Sequence, residues 1–365
     1  MIGKIIVDET VAEAAIIGGA ILGGGGGGWM EEGRRLAQLA LKKGFREIRP
    51  LEAFEPGKKF LTVSAVGTPS AGSDILLPED YIRAVELFLK KSGQEVCGLV
   101  SSEVGAMAVV NGWVQSAYLG IPVVNAAANG RAHPLGLMGS MGLHQEKGFV
   151  SRQAAVGRHP ETGSQIERFF EGSIEETSQA VRNMAVELGG MVAVARHPVP
   201  ADYIRKNGAP GAIGHAVSLG QAYQAQLKPS PRQLINAVKD KFGVGIILTG
   251  RVKRVSLSQN AGLDVGEAAV ETKEGEAELK FLNEYITLEL NKLRLATFPD
   301  LIMTFEAGSA MPLITAVIKK DIEVFILTVP AAKLILGAGV KDPELLGRIE
   351  SVIGKPITRY FLLNN

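Results

Sequence analysis

The segment Val96-Cys-Gly-Leu-Val-Ser-Ser-Glu-Val-Gly105 decides the fold class of this 365-residue chain. Apolar or small residues fill Val96–Val100, as in a strand buried on both faces, and Glu103 follows where that strand ends. The pattern then indicates a helix over Ala106–Leu119 and a further strand over Ile121–Val124. Strand, helix and strand in succession are typical of an α/β fold with parallel strands.

The same alternation extends to both sides of this segment. A strand is predicted over Lys59–Val66, a helix over Glu79–Lys91 and another helix over Ile174–Leu188, with residues 140–172 expected to be loop-like. We therefore predict an α/β protein whose N-terminal domain, residues 1–172, has three layers and a mostly parallel sheet.

The second half of the chain has a different pattern. Residues 245–257 and 277–290 alternate between apolar and polar side chains, which predicts strands and a β-rich subdomain over about 240–296. A helix is predicted over Ala310–Lys319 as the chain returns to α/β structure. We expect residues 173–365 to form a C-terminal α/β domain that carries this subdomain.

The composition limits the classes of partner. The chain has 39 Lys and Arg against 38 Asp and Glu, so it lacks the surplus positive charge that a nucleic-acid surface needs. Its single cysteine excludes an intrachain disulfide and is typical of a reducing compartment. The apolar segment Ala14–Leu22 is too short to span a bilayer, which takes about 20 residues. We expect a cytoplasmic protein that binds neither nucleic acid nor membrane.

Six consecutive glycines, Gly23–Gly28, mark a place where bare backbone is needed. Thr10 and Glu13 form a capping-box pattern that indicates a helix before the glycines, whereas a dinucleotide-binding glycine motif follows a strand. Glu31 and Glu32 begin the next helix and would repel a phosphate. The loop is therefore suited to a small, largely neutral ring or to close packing of another segment. The candidate ring-binding glycines are Gly24, Gly25, Gly26 and Gly27.

Polar residues after two of the predicted strands are candidates for chemistry. Glu103 is placed to act as a general base or a metal ligand, or it is simply an acid in the first turn of a helix. After the next strand come Asn125, Asn129, Arg131 and His133, which can orient a ring and transfer a proton. The alternative for this loop is an Asn-Gly turn with a surface-paired arginine.

A second polar pair, Asn283 and Glu284, interrupts a predicted strand in the β-rich part of the chain. The pair either reaches the α/β pocket and binds substrate, or forms an outward-facing bend. The sequence leaves both interpretations open.

Several stretches together resemble the S-methyl-thiohydantoin desulfurase-like family, over nearly the whole chain and in order. They are Ile21–Gly28, Ser102–Gly105, Gly120–Pro134, Phe281–Glu284, Pro299–Ile302 and Asp321–Phe325. The resemblance implies an N-terminal α/β domain, a C-terminal domain, and hydrolytic removal of sulfur from a five-membered thiohydantoin ring.

Applied to these residues, the resemblance implies that Glu103 is the base or a metal ligand, and His133 is the second catalytic candidate from its polar loop. It also implies that the ring of a small-molecule substrate is held by the candidate glycines, amides and Arg131, while the pair at 283–284 stays a candidate from the sequence pattern. A divalent metal stays possible, but Asn125 and Ala127 stand where many relatives have acidic residues, so its best oxygen ligands are missing.

That replacement also motivates an alternative, a non-catalytic partner or regulatory subunit of a hydantoinase- or oxoprolinase-type enzyme. A nucleotide-binding oxidoreductase is the third hypothesis. We further expect the chain to form a homo-oligomer.

Overall fold

The computed structural model describes residues 3–68, 70, 76–225 and 229–364. Within these residues the chain forms seventeen strands and ten helices. The strands are β1 (Ile5–Ile6), β2 (Glu47–Ile48), β3 (Lys59–Gly67), β4 (Gly98–Ser101), β5 (Val123–Ala127), β6 (Ser151–Arg158), β7 (Gln165–Gly172), β8 (Met191–Pro200), β9 (Ala209–Pro210), β10 (Ile246–Asn260), β11 (Leu263–Thr272), β12 (Gly275–Leu282), β13 (Glu284–Leu290), β14 (Leu293–Thr297), β15 (Leu301–Glu306), β16 (Pro312–Leu313) and β17 (Glu323–Val329). The helices are α1 (Glu9–Gly23), α2 (Met30–Lys42), α3 (Pro78–Ser92), α4 (Trp113–Leu119), α5 (Ile174–Glu187), α6 (Ala201–Asn207), α7 (Ala212–Gln224), α8 (Pro231–Phe242), α9 (Pro343–Ile353) and α10 (Thr358–Asn364).

The first large sheet contains the segment that decides the fold class. Its strand order is β7-β6-β8-β3-β4-β5-β9. The three strands indicated by the sequence, β3, β4 and β5, are parallel neighbours, and the pairings on either side of them are antiparallel. The predicted mixed α/β fold class is confirmed, with its parallel part in these three strands.

The second large sheet is antiparallel throughout and has the order β14-β13-β12-β11-β10-β17-β15-β16. Five of its strands, β10 to β14, cover the part of the chain in which the alternating pattern indicated β structure. The β-rich character of the C-terminal half is thus confirmed.

Residues on both sides of position 172 share one sheet. Strand β8 lies between β3 and β6 although it follows this position in the chain. Helix α7 packs against α1 so closely that a Cβ on Gly18 would lie 1.8 Å from the carbonyl oxygen of Ala216. The division at 172 and 173 remains a prediction from sequence.

The glycine run is a loop between two helices, as the sequence indicated. Helix α1 starts two residues earlier than the capping box predicted, because the side chain of Asp8 accepts the backbone N–H of Val11 at 2.8 Å. It ends at Gly23 with Gly24 as its C-cap, whose φ of 58° is left-handed, and α2 begins at Met30.

Three local predictions were wrong. The helix predicted over Ala106–Leu119 is instead a 3-10 turn, Ala108–Val110, followed by the shorter helix α4. Residues 140–172 were expected to be loop-like but contain the hairpin of β6 and β7. Strand β6 is buried along most of its length, so it lacks the alternation that reveals a half-exposed strand. The predicted helix over Ala310–Lys319 is instead β16 and a short 3-10 turn. There Thr315 donates its backbone N–H to the carbonyl of Gly25, a contact outside the reach of local propensity.

Candidate active site

A small cleft lies between the carboxyl ends of the parallel strands and the second sheet. The cavity volume of this cleft is about 80 Å³. That space holds about five to eight water molecules, which suits a small ring rather than a nucleotide. Polar side chains from both halves of the chain line the cleft: Ser64, Thr68, Ser102, Glu103, Asn111, His133, Arg182, Arg196, Asn283 and Glu284.

Two parallel strands bring Glu103 and His133 together. Glu103 follows β4 and His133 follows β5, and the carboxyl ends of neighbouring parallel strands meet at one edge of a sheet. The two loops are also joined, because the backbone N–H of Asn129 donates to the carbonyl of Ser102 at 3.2 Å. The hydroxyl of Ser101 donates to the carbonyl of Glu103 at 2.7 Å and fixes the first loop.

The tautomer of His133 follows from its neighbours. Its Nδ1 lies 3.0 Å from the carbonyl oxygen of Leu135, and since a carbonyl only accepts, Nδ1 carries the hydrogen. Nε2 is then a bare acceptor, and it lies 3.5 Å from Oε2 of Glu103. The same Oε2 accepts the backbone N–H of His133 at 3.2 Å. The geometry points a neutral ring nitrogen at the carboxyl group.

Burial sets the protonation of both groups. It raises the pKa of Glu103 to about 7, against the lowering effects of the His133 N–H and of nearby Arg196. Burial, followed by the charge of Arg196, lowers the pKa of His133 to about 3. At neutral pH the imidazole is therefore uncharged, and Glu103 is present in both its protonated and its ionised form, so that a fraction is available as a general base.

Glu284 faces the cleft from the second sheet. Its side chain is buried, and Oε2 has no hydrogen-bond partner within the described residues. Burial, and then the charge of Glu103, raises the pKa of Glu284 well above its ordinary value. Asn283 holds the turn before it at a φ of 57°, with its side-chain oxygen accepting the backbone N–H of Asp264 at 2.9 Å.

The glycine run serves close packing along most of its length. A Cβ on Gly24 would lie 2.5 Å from Nη2 of Arg131, one on Gly25 would lie 2.8 Å from Thr315, and one on Gly26 would lie 2.0 Å from Oε1 of Glu284. Gly27 and Gly28 line the cleft. Of the four glycines predicted to contact a ring, Gly27 is therefore the one on the cleft wall, while the other three pack behind it.

Arg131 is fully buried and lies outside the set of residues that line the cleft. Its Nη1 donates to the carbonyl of Pro299 at 2.9 Å and also to that of Asp300, and its guanidinium carbon lies 4.6 Å from the centre of the Phe298 ring. These contacts join the loop after β5 to the segment before β15.

The two candidate amides are also turned away from the cleft. Asn125 Oδ1 accepts the backbone N–H of Gly214 at 2.9 Å, at the start of helix α7. Asn129 Nδ2 donates to the carbonyl of Met138 at 2.9 Å. Both side chains are buried and bind backbone, so their use in substrate binding remains a prediction from sequence.

Two family models match the chain in order. The one described as "S-Me-THD-like, N-terminal domain" matches residues 11–156, and the one described as "S-Me-THD-like, C-terminal domain" matches residues 173–339. The chain belongs to the S-methyl-thiohydantoin desulfurase-like family. The resemblance seen in the sequence is thereby confirmed.

Among solved structures, the chain is similar to a crystal structure of a protein from Chromobacterium violaceum. The two are 19% identical with a TM-score of 0.68, and the match covers 96% of each chain. Likeness at this identity shows a shared fold alone. No curated protein matches the chain.

For this family member, sequence reasoning did not find several residues that line the cleft. They are Ser64, Thr68, Asn111, Arg182 and Arg196. Arg196 lies on strand β8 and Arg182 on helix α5, and neither falls in a motif or a polar loop. Only the tertiary structure identifies these two arginines, because it places both of their side chains at the cleft.

The described residues hold no group of three or more His, Cys, Asp or Glu side chains placed to bind a metal ion. The donor set of the cleft therefore does not fit a metal centre built from such side chains, and we derive no step through one. In the same ranges, no helix combines the length and the apolar character needed to cross a bilayer.

Proposed function

We propose that this protein hydrolyses the ring carbon–sulfur bond of a five-membered thiohydantoin-like ring, with Glu103 as the general base. Membership of the family supports the class of substrate. The observation that carries the reaction type is the cleft-lining carboxyl group of Glu103, whose pKa is raised to about 7 beside a neutral imidazole.

The proposed reaction consumes one water molecule. Glu103 takes a proton from water, whose oxygen bonds to the ring carbon that carries sulfur. The carbon–sulfur bond then breaks, and the sulfur leaves as a thiolate that takes the proton back from Glu103. The second proton of water goes to the ring nitrogen as the carbon becomes a carbonyl, so the products are a hydantoin ring and a thiol.

His133 acts on Glu103 and on the water molecule. Its backbone N–H holds Oε2 of Glu103, and its bare Nε2 accepts a hydrogen from the protonated carboxyl or from the attacking water. Because the imidazole stays neutral, it does not lower the pKa of the base by charge.

Unpartnered polar atoms around the cleft match the polar edge of such a ring. Ser64 Oγ and Asn111 Oδ1 are buried without a hydrogen-bond partner among the described residues, and both residues line the cleft. A hydantoin ring carries two N–H groups and two carbonyls, which would supply the missing partners. Buried polar groups of this kind are costly unless a ligand or water satisfies them.

The test is release of thiol from an S-methyl-thiohydantoin by the purified chain. We expect many turnovers per chain in the wild type, well above the one thiol that Cys97 contributes. Glu103→Gln keeps the shape of the side chain and removes the base, so the rate should fall by about 10²-fold or more.

The matched control is Glu95→Gln, which changes an exposed glutamate just before β4 and should leave the rate unaltered. Full activity in Glu103→Gln would sink the proposal. So would an inactive wild-type chain that forms a stable complex with a hydantoinase- or oxoprolinase-type enzyme.

A further inference from the structure

Glu284 is a buried acid of the cleft to which the reaction above gives no role. Its residue is 3% exposed and begins strand β13, on the wall that the second sheet contributes to the cleft. Oε2 of its side chain has no hydrogen-bond partner within the described residues. A buried carboxyl oxygen without a partner is costly, so a ligand or a water molecule in the cleft is needed to satisfy it.

The backbone on both sides of Glu284 is fixed by hydrogen bonds. The backbone N–H of Asn283 donates to the carbonyl of Asp264 at 2.8 Å. On the other side, the backbone N–H of Tyr285 donates to the carbonyl of Gly24 at 2.8 Å. Glu284 is therefore held between the second sheet and the glycine loop, on a rigid support of the kind that catalytic groups need.

The glycine loop brings the two carboxyl groups of the cleft towards each other. A Cβ on Gly26 would lie 2.0 Å from Oε1 of Glu284. A Cβ on Gly27, the next residue, would lie 2.4 Å from Cα of Gly105, which comes two residues after Glu103. Consecutive Cα atoms are about 3.8 Å apart, so the two acids approach one small space from the two sheets. A ring in the cleft can contact both.

Glu284 is the cleft residue that can supply a proton from the side opposite the base. Arg182 and Arg196 stay charged, because guanidinium groups do not release protons in proteins. His133 has its ring hydrogen on Nδ1, and its Nε2 is a bare acceptor. The hydroxyl and amide side chains around the cleft are much weaker acids than a carboxyl group.

Burial and a neighbouring negative charge keep the proton on Glu284 before the reaction. Burial raises the pKa of Glu284 well above its ordinary value, and the charge of Glu103 raises it further. The charges of Arg131 and Arg182 lower it. When Glu103 takes up a proton its charge disappears, so proton uptake by the base favours proton release by Glu284.

We propose that Glu284 is the general acid of the reaction and donates its proton to the ring nitrogen next to the carbon that carries sulfur. The base then lies on the first sheet and the acid on the second. This inference rests on the proposed function for the identity of the reaction.

The protons and electrons of the hydrolysis balance with both glutamates. As the oxygen of water bonds to the carbon, Glu103 takes one proton of water, and the electron pair of the ring carbon–nitrogen double bond takes the proton of Glu284. The new hydroxyl group then gives its proton to the Glu284 carboxylate as the carbonyl forms. The carbon–sulfur bond breaks with its electron pair on sulfur, which takes the proton from Glu103. Both side chains return to their starting forms.

Infrared spectroscopy on the full chain tests whether Glu284 holds a proton. At pH 8 most of Glu103 is ionised, because its pKa is about 7. We expect the wild type to show the carbonyl band of a protonated carboxyl group, and Glu284→Gln to lose it. The matched control is Glu276→Gln, which changes an exposed glutamate on the neighbouring strand β12 and should keep the band.

Steady-state hydrolysis of an S-methyl-thiohydantoin tests whether that proton is transferred. Gln keeps the shape of the side chain and a hydrogen-bond donor but releases no proton. Glu284→Gln should therefore lower kcat by about 10²-fold with little change in KM, and Glu276→Gln should keep both values. Glu284→Asp keeps the acid on a shorter side chain and should recover part of kcat. If Glu284→Gln does not fold, Glu284→Asp should still show the infrared band and a lowered kcat.

Three results would overturn the role of Glu284 as an acid. The first is a wild type without the infrared band, or a band that stays in Glu284→Gln. The second is a Glu284→Gln variant with the kcat of the wild type. The third is a raised KM at unchanged kcat in that variant, which would make Glu284 a binding residue only.

The outcomes separate this inference from the proposed reaction. Loss of turnover in Glu103→Gln but not in Glu284→Gln would retain the reaction and remove its acid. A wild type that releases no thiol would remove the reaction, and the acid with it.

Discussion

His133 Nε2 lies 3.5 Å from Glu103 Oε2, and this ring nitrogen has no hydrogen-bond partner within the described residues. The imidazole is neutral because burial lowers its pKa to about 3, and its one ring hydrogen is engaged by the carbonyl of Leu135. When Glu103 is ionised, two acceptors face each other; when it is protonated, its O–H has an acceptor. Burial raises the pKa of Glu103 to about 7, against the lowering effects of the His133 backbone N–H and of the charge of Arg196.

The pH dependence of turnover should follow Glu103. Because its pKa is raised to about 7, the basic form is lost as the pH falls below that value. We expect kcat/KM for thiol release to rise about tenfold per pH unit between pH 5 and 7 and then to level off. The measurement is a pH profile from 5 to 9. A profile that is already nearly flat from pH 5 upward, as the ordinary pKa of 4.5 would give, would contradict the role of Glu103 as base.

The raised pKa of Glu103 also predicts that the stability of the fold decreases as the pH rises, whereas turnover increases. The folded chain binds this proton more tightly than the unfolded chain, so the contribution of Glu103 to the free energy of unfolding falls as pH rises from 4.5 to about 7. The full loss corresponds to about 3 kcal/mol. Glu103→Gln, which cannot ionise, should be more stable than wild type at pH 8, and the difference should shrink below pH 5.

Urea unfolding at pH 5 and pH 8 measures this difference, with Glu95→Gln as the control that should match the wild type at both. A Glu103→Gln variant that is less stable than wild type at pH 8 would show that the ionised carboxylate does not destabilise the folded chain. Active-site groups held in an unfavourable environment commonly trade stability for activity.

The sequence was informative wherever local pattern and chain direction decide the structure. The buried strand before Glu103 and the strand before His133 could be recognised from their apolar runs. Parallel pairing then places their carboxyl ends together, as the structure confirms. In contrast, β6 lacks the apolar–polar alternation of a half-exposed strand because both of its faces are covered. The conformation of the segment after Ala310 is set by contacts with the glycine loop rather than by its own helix propensity.

Arg196 shows why the rest of the cleft could not be predicted. It follows five apolar residues in strand β8, where a single arginine is usually an outward-facing residue. Its burial depends on β8 pairing with both β3 and β6, which the alternation of a single strand does not reveal. Arg131 shows the reverse case, since its polar loop indicated a ligand contact and the structure gives it backbone carbonyls.

Alanine substitutions at two glycines of the loop should destabilise the chain to different degrees, with a glycine outside the loop as the control. Gly27→Ala combines a φ of 79° with a Cβ 2.4 Å from the backbone of Gly105, so it should be the most destabilising. Gly26→Ala meets the buried side chain of Glu284 and should cost about 1–3 kcal/mol. Gly57→Ala meets nothing within 4 Å and should be neutral or slightly stabilising.

Urea unfolding of the three variants gives this order directly. Equal stability of Gly26→Ala and Gly57→Ala would mean that Glu284 moves aside without cost. In that case the packing role of the loop would not extend to Gly26.

Arg131 offers the sharpest contrast between packing and binding. Arg131→Met keeps an apolar stem against Phe298 but leaves the carbonyls of Pro299 and Asp300 without their donor. We expect a loss of about 2–4 kcal/mol in the free energy of unfolding, and only partial recovery in Arg131→Lys, whose ammonium cannot reproduce the fork. If Arg131 instead binds the substrate, Arg131→Met should keep wild-type stability and raise the KM for thiol release. Measuring urea unfolding and the KM for thiol release on Arg131→Met therefore decides whether Arg131 stabilises the fold or binds the substrate.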